Sequence, residues 1–182
     1  MVATKRWTIE ELEREGGPEG RWELMDGELV EVSPAGPLSS KIALWIGHLL
    51  ISFVVPRQLG EVYGADGGFV LFPGRELLRA PDVAFVRADR LDTGVVRTEY
   101  HRLSPDLAVE VLSPNDRPGQ VAATVQMYLE AGVRLIWVVN PIAKTVAVHV
   151  PGQPTRLLQI DDELDSGDVL PGFRSSVASL FI

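Results

Sequence analysis

Two carboxylates stand at places where an apolar strand would be expected to hold none. In Ser104–Pro114, "SPDLAVEVLSP", Glu110 sits among Ala108, Val109, Val111 and Leu112. An unpaired ionised carboxylate in an apolar interior costs several kcal/mol or more, roughly, so something must offset it. The candidates are a basic partner, a metal ion, or exposure in a cleft. In "RAPDVAFV", Asp82 follows Pro81 at the start of another strand-like run. If these strands are neighbours, the two acids converge on one divalent cation. Mg²⁺ takes oxygen ligands, commonly one or two carboxylates with waters and substrate phosphates. Mn²⁺ would serve in the same way. The Val111 carbonyl, next to Glu110, is a third candidate ligand. A cation held there could activate a water and offset charge developing on a phosphodiester. Two plainer readings stand beside this one. Asp82 would cap a turn after Pro81, and Glu110 would pair with an arginine such as Arg79 or Arg134.

The elements that must position these acids can be read from pattern. "TIEELERE" opens on Thr8 with Glu11 three residues on, a capping box that starts a short helix. "RWELM" and "ELVEV" flank Asp26-Gly27, which predicts a hairpin. From Leu38, apolar residues recur at Ile42, Ile46, Leu49, Leu50 and Phe53, the spacing of an amphipathic helix that Pro56 ends. "GEVYG" and "GGFVLFP" read as consecutive antiparallel strands turning at Ala65–Gly67. Residues 88–103 read as polar loop with one helical turn. A helix is expected from Pro118 to Ala131, with Gly132 as its C-cap. "RLIWVVN" is an apolar strand, "KTVAVHV" its hairpin partner, and Arg156–Gln159 a short edge strand. The acidic run Asp161–Asp168 reads as a solvated loop, and "SSVASLFI" as a last short helix. The order gives an α+β, α/β-like sheet with helices on its faces. Asp106–Leu112, the helix and Arg134–Asn140 form the best candidate for a right-handed crossover between parallel strands. No repeat or linker interrupts residues 1–182, so one domain is expected.

Composition narrows the function classes. The chain has no cysteine, which excludes disulfides and thiolate metal sites and fits a reducing cytosol. The N-terminus lacks the apolar region of a secretory signal. The apolar stretch Ile42–Val55 contains His48 and Ser52 and reads as too short and too polar to span a bilayer. A soluble cytoplasmic protein with no membrane partner is therefore expected. The net charge of −8 argues against tight, charge-driven nucleic-acid binding. It leaves room for an enzyme that meets nucleic acid through a local patch and metal ions.

Four segments together resemble the Uma2 family, also called DUF820: "RWELMDGELVEVSPAGP", "RAPDVAFV", "SPDLAVEVLSPND" and "MYLEAGVRLIWVVNP". They follow that family's order and spacing from about Trp22 to Phe181. The family is described as restriction endonucleases of the PD-(D/E)XK nuclease fold. The resemblance implies a restriction-endonuclease-like central mixed β-sheet flanked by helices, with Mg²⁺ or Mn²⁺ held at the ends of two core strands. It implies DNA as the partner and hydrolysis as the reaction. On this reading Pro81-Asp82 is the PD element, Glu110 the second acid, and Glu23 an early acid that joins the site. Nucleases of this fold that cut both strands often act as dimers, which makes a homodimer a reasonable expectation.

This chain departs from the family pattern at three places. Two residues after Glu110 stands Leu112, not lysine. In the family the lysine instead lies on the following helix, four residues before the aromatic of "MYLEAGV", and here that position is Thr124. Thr124 is one turn from Tyr128 on the same face, so the position suits but the charge is absent. Gln126 lies about 200° round the helix from Thr124 and is a poor substitute. Lys41 and Arg117 are other candidate cations. Ser39 stands where the family usually has histidine, and Asn140 where it usually has aspartate before proline. Two functions therefore compete. One is a metal-dependent endonuclease weakened by loss of the lysine. The other is a catalytically degenerate nuclease fold kept as a binding or interaction module. A small-molecule site in "YGADGGFVLFPG" is disfavoured, since turns explain its glycines and no phosphate-loop spacing is present.

Overall fold

The computed structural model describes residues 5–92 and 98–181. Its centre is a six-stranded mixed sheet. The strands are β3 (Gly60–Gly64), β6 (Val83–Arg87), β7 (Leu107–Val111), β8 (Leu135–Asn140), β9 (Thr145–His149) and β10 (Arg156–Leu158), in the spatial order β10-β9-β8-β7-β6-β3. β7 and β8 run parallel, joined through helix α3 (Pro118–Glu130), and the other pairs are antiparallel. The crossover expected from sequence is thus the one parallel step of this sheet.

The two faces are covered by different helices. On β7, Leu107, Val109 and Val111 alternate with Ala108 and Glu110. The first set packs with Ile42, Ile46, Leu50 and Val54 of α2 (Pro37–Val54). Ala108 packs with Val125 and Tyr128 of α3. Period-two alternation therefore turns Glu110 toward α3, because neighbours on a strand point to opposite faces. Together with the turn that follows it, α2 is long and apolar enough to cross a membrane, contrary to the reading of Ile42–Val55 as too short. Its fully covered residues lie against the sheet, while Leu44 and Ile51, with Val55 of the following turn, are exposed on its outer face.

A second sheet brings in the N-terminal acid. Strands β1 (Trp22–Met25), β2 (Glu28–Glu31), β4 (Phe69–Val70) and β5 (Leu77–Arg79) lie in the order β2-β1-β5-β4. The β1–β2 hairpin turns at Asp26 and Gly27, with φ of 49° and 86°. Both central residues are left-handed, as a tight hairpin turn that follows strand twist requires. Helix α1 (Ile9–Glu15) starts with the expected reciprocal Thr8–Glu11 cap.

Three expectations need correction. "GEVYG" and "GGFVLFP" do not pair: β3 joins β6 in the large sheet and β4 joins β5 in the other. Gly67 and Gly68 carry the chain between sheets so tightly that a Cβ on Gly68 would lie 2.6 Å from the Tyr100 ring. The acidic run is not all loop. β11 (Glu163–Asp165) pairs with β12 (Arg174–Ser176), Leu164 is buried, and Glu163 meets Arg174 at 2.6 Å. The tail begins within β12, so only Val177–Leu180 is helical, as a single 3₁₀ turn. In the polar segment 88–103, the expected helical turn is Ala88–Arg90, and residues 93–97 lie outside the described part.

Candidate active site

Sheet register brings the predicted acids together. β6 and β7 pair with Val83 opposite Val109, so one residue further Asp82 stands opposite Glu110. β1 and β5 pair with Leu24 opposite Leu78, so Glu23 stands opposite Arg79. The link Ala80-Pro81 ties β5 of one sheet to Asp82, just before β6 of the other. The "RAPD" run thus carries a cation at one end and an acid at the other.

Each acid has a defined partner. Asp82 Oδ2 accepts the Val111 N–H at 2.7 Å. Glu110 Oε1 accepts the Tyr128 hydroxyl at 2.7 Å. Glu23 Oε2 pairs with Arg79 Nη1 at 2.7 Å, and Glu23 Oε1 accepts the Ala80 N–H at 3.2 Å. The Glu23 and Arg79 side chains are only 14% and 15% exposed, so this is a largely desolvated pair. Val111 therefore touches Asp82 through its N–H, and the structure gives its carbonyl no special role. Arg134 does not pair with Glu110. Arg134 and Arg90 instead reach Asp106, at 3.7 and 3.0 Å.

The electrostatics are those of crowded acids. Burial, and then the nearby Asp82, push the Glu110 carboxyl up to about 8. Burial also raises Asp82, against the opposing Val111 N–H and Arg21. Burial raises Glu23 as well, outweighing Arg79 beside it. Tyr128 is buried beside Glu110 and holds its proton well above the ordinary phenol value. Arg79 stays charged: burial works against it, but Glu23, Tyr128 and Glu110 hold its value up. Carboxylates so placed gain from a cation.

The auxiliary positions are resolved too. Thr124 accepts from Arg79 Nη2 at 3.4 Å. Gln126 is exposed and bonds Glu130, on the far side of α3. Ser39 is buried and donates to the Leu112 carbonyl at 2.9 Å, tying α2 to the end of β7. Lys41, Arg117 and His48 are exposed. Sequence reasoning missed Tyr128 as the donor to Glu110, Arg79 as the partner of Glu23, and Arg21. Arg21 lies at Ala65 and Asp66 and lines both hollows beside the site, of about 230 and 720 Å³. The larger hollow is also lined by Asp82 and by α2. The signal for Tyr128 was its helical spacing from Thr124.

The site suits a hard cation in one respect and not in another. Two opposed carboxylates with raised proton affinity match the small protein donor set that Mg²⁺ uses. Among the described residues, no group of three or more His, Asp or Glu side chains is placed to hold a metal ion. A cation here would rest on Asp82 and Glu110, with Glu23 held by Arg79.

A central mixed sheet flanked by helices, with acids at the ends of adjacent strands, is the restriction-endonuclease-like architecture. Residues 8–178 match the family model Uma2, described as "Putative restriction endonuclease". The chain belongs to the Uma2 family. A similar solved structure is a protein from Anabaena variabilis described as a "putative nuclease belonging to DUF820". It has a TM-score of 0.81 at 19% identity, covering 96% of this chain and 97% of that one. At that identity the likeness speaks to fold alone. No curated protein matches.

Proposed function

We propose that this chain is a metal-dependent DNA endonuclease that hydrolyses phosphodiester bonds in the cytoplasm. The observation that carries this reading is the register that sets Asp82 opposite Glu110, two largely buried acids with raised proton affinity at one place. Asp82 and Glu110 would hold Mg²⁺ or Mn²⁺, with the Val111 carbonyl as the third ligand of this reading. The bound ion would lower the proton affinity of a water and offset phosphoryl charge. Asp82 is aimed by the Val111 N–H and Glu110 by Tyr128, so neither carboxylate rotates freely. Glu23 holds Arg79 and takes no direct part at the ion. DNA as substrate and a homodimer as working form come from family membership, and fold alone does not fix function.

A second reading has its own observation. Thr124 carries no charge at the family's lysine position, and Arg79 already offsets Glu23. That favours a degenerate fold serving as an interaction module. Plasmid nicking with Mg²⁺ or Mn²⁺, in wild type and in Asp82→Ala and Glu110→Ala, separates the two. Nicking lost in both variants supports the nuclease. A wild type that leaves supercoiled plasmid intact supports the module.

A further inference from the structure

Arg79 is placed for more than neutralising Glu23. Its Nη1 end meets Glu23 at 2.7 Å and Met25 Sδ at 3.6 Å. The other edge of the guanidinium, formed by Nε and Nη2, is the edge that clasps two oxygens of a phosphate or carboxylate. Here Nε–H is buried with no hydrogen-bond partner, and Nη2 makes a long 3.4 Å bond to Thr124, with the Tyr128 hydroxyl also beside the guanidinium. Among the described residues, Glu23 is the one carboxylate within ion-pair distance of Arg79. A buried N–H without an acceptor is costly and uncommon, and it is a donor awaiting an oxygen. Arg79 lines the smaller hollow together with Arg21, Glu23 and Ala80. Chain connectivity fixes the rest: Arg79 lies three residues before Asp82, and its Nη2 arrives at Thr124 Oγ1 on α3.

We propose that Arg79 binds a phosphodiester oxygen of duplex DNA through its Nε–Nη2 edge, supplying from β5 the positive charge that Thr124 does not carry on α3. The proposal rests on the nuclease reading for its ligand. A guanidinium this basic does not take a proton from water, so its role is to hold the phosphate and offset its charge, as a lysine would only in part. Glu23 then orients Arg79 from the opposite end.

The test is binding of a fluorescein-labelled DNA duplex to the full chain, by anisotropy across a salt series with Ca²⁺ present. Plasmid nicking with Mn²⁺ is run on the same samples. A cation on a phosphate contributes about one unit to the slope of log affinity against log salt. Arg79→Gln is expected to lower that slope by about one unit and to cut nicking by about 100-fold or more. Thr124→Lys placed in the Arg79→Gln chain is expected to restore both. A purely structural ion pair would lower thermal stability and leave the slope of the folded protein unchanged, which overturns the proposal. Where Arg79→Gln does not fold, Glu23→Gln/Arg79→Gln replaces it, since that pair leaves no charge unmatched. Duplex binding that depends on Arg79 without any nicking keeps the proposal and removes the hydrolase reading. Nicking that survives Arg79→Gln does the reverse, and absence of duplex binding in every chain also overturns it.

Discussion

Tyr128 on α3 donates its hydroxyl to Glu110 on β7 at 2.7 Å, across the face where helix and sheet meet. That bond holds the one acid on the α3 face of β7 in a fixed orientation. Tyr128→Phe keeps the ring and removes the donor. It is expected to raise the Glu110 proton affinity further and to cost about 1–3 kcal/mol, the range for losing a partner of a buried polar group. Urea unfolding measures the cost. An unchanged midpoint would mean that Glu110 finds another donor.

The acid cluster gives stability a pH dependence of defined sign. Glu110 is pushed up from 4.5 to about 8, so the folded chain keeps a proton that the unfolded chain releases. The resulting stability is present in full below the unfolded value and is lost as pH rises through about 8. Raised Glu23 and Asp82 act in the same sense. Glu110→Gln should flatten the slope, by at most on the order of a few kcal/mol across the window. Urea midpoints at a series of pH values, without divalent ions, test this. Equal slopes in the two proteins would refute it.

Metal should oppose that trend. A cation on Asp82 and Glu110 must displace the proton that Glu110 holds, so its affinity rises with pH up to about 8. Thermal melts with and without Mn²⁺ should show larger stabilisation above that value than below pH 6. Stabilisation that is independent of pH would place the ion elsewhere.

Asp106 should prove the costlier acid to lose. It is 0% exposed, accepts the Arg87 N–H at 3.0 Å, and meets Arg90 and Arg134. Asp106→Ala is expected to destabilise by about 3 kcal/mol, near the lower end for breaking a buried pair. Denaturant unfolding reads it directly, and a loss below the error of the method would contradict the role.

The same residue shows what the sequence could and could not reveal. Both Asp106 and Glu110 lie in one apolar stretch, and only Glu110 looked anomalous. Asp106, read as the opening of a strand, is the fully buried acid, because two segments far apart in the chain, residues 87–90 and Arg134, bring arginines and an N–H to it. α2, α3, the β1–β2 hairpin and the crossover were legible, since each is carried by local periodicity or turn chemistry, whereas the mixed sheet was implied by the family resemblance. The Asp82–Glu110 juxtaposition followed from two strands becoming neighbours. The Glu23–Arg79 pair did not, because it needs the register of β1 against β5, which no local pattern specifies. β3 and β4 were paired wrongly for the same reason: glycines that suit a hairpin turn also suit a passage between sheets.

The most direct measurement is a calorimetric titration of Mn²⁺ and Mg²⁺ into the wild type and into Asp82→Ala/Glu110→Ala, with plasmid nicking followed in the same samples. Saturable binding and nicking in the wild type, both absent from the double variant, is the expected result. A wild type that binds neither ion across about pH 6 to 9, where Glu110 titrates, would contradict it and leave Glu110 as a structural carboxylate held by Tyr128.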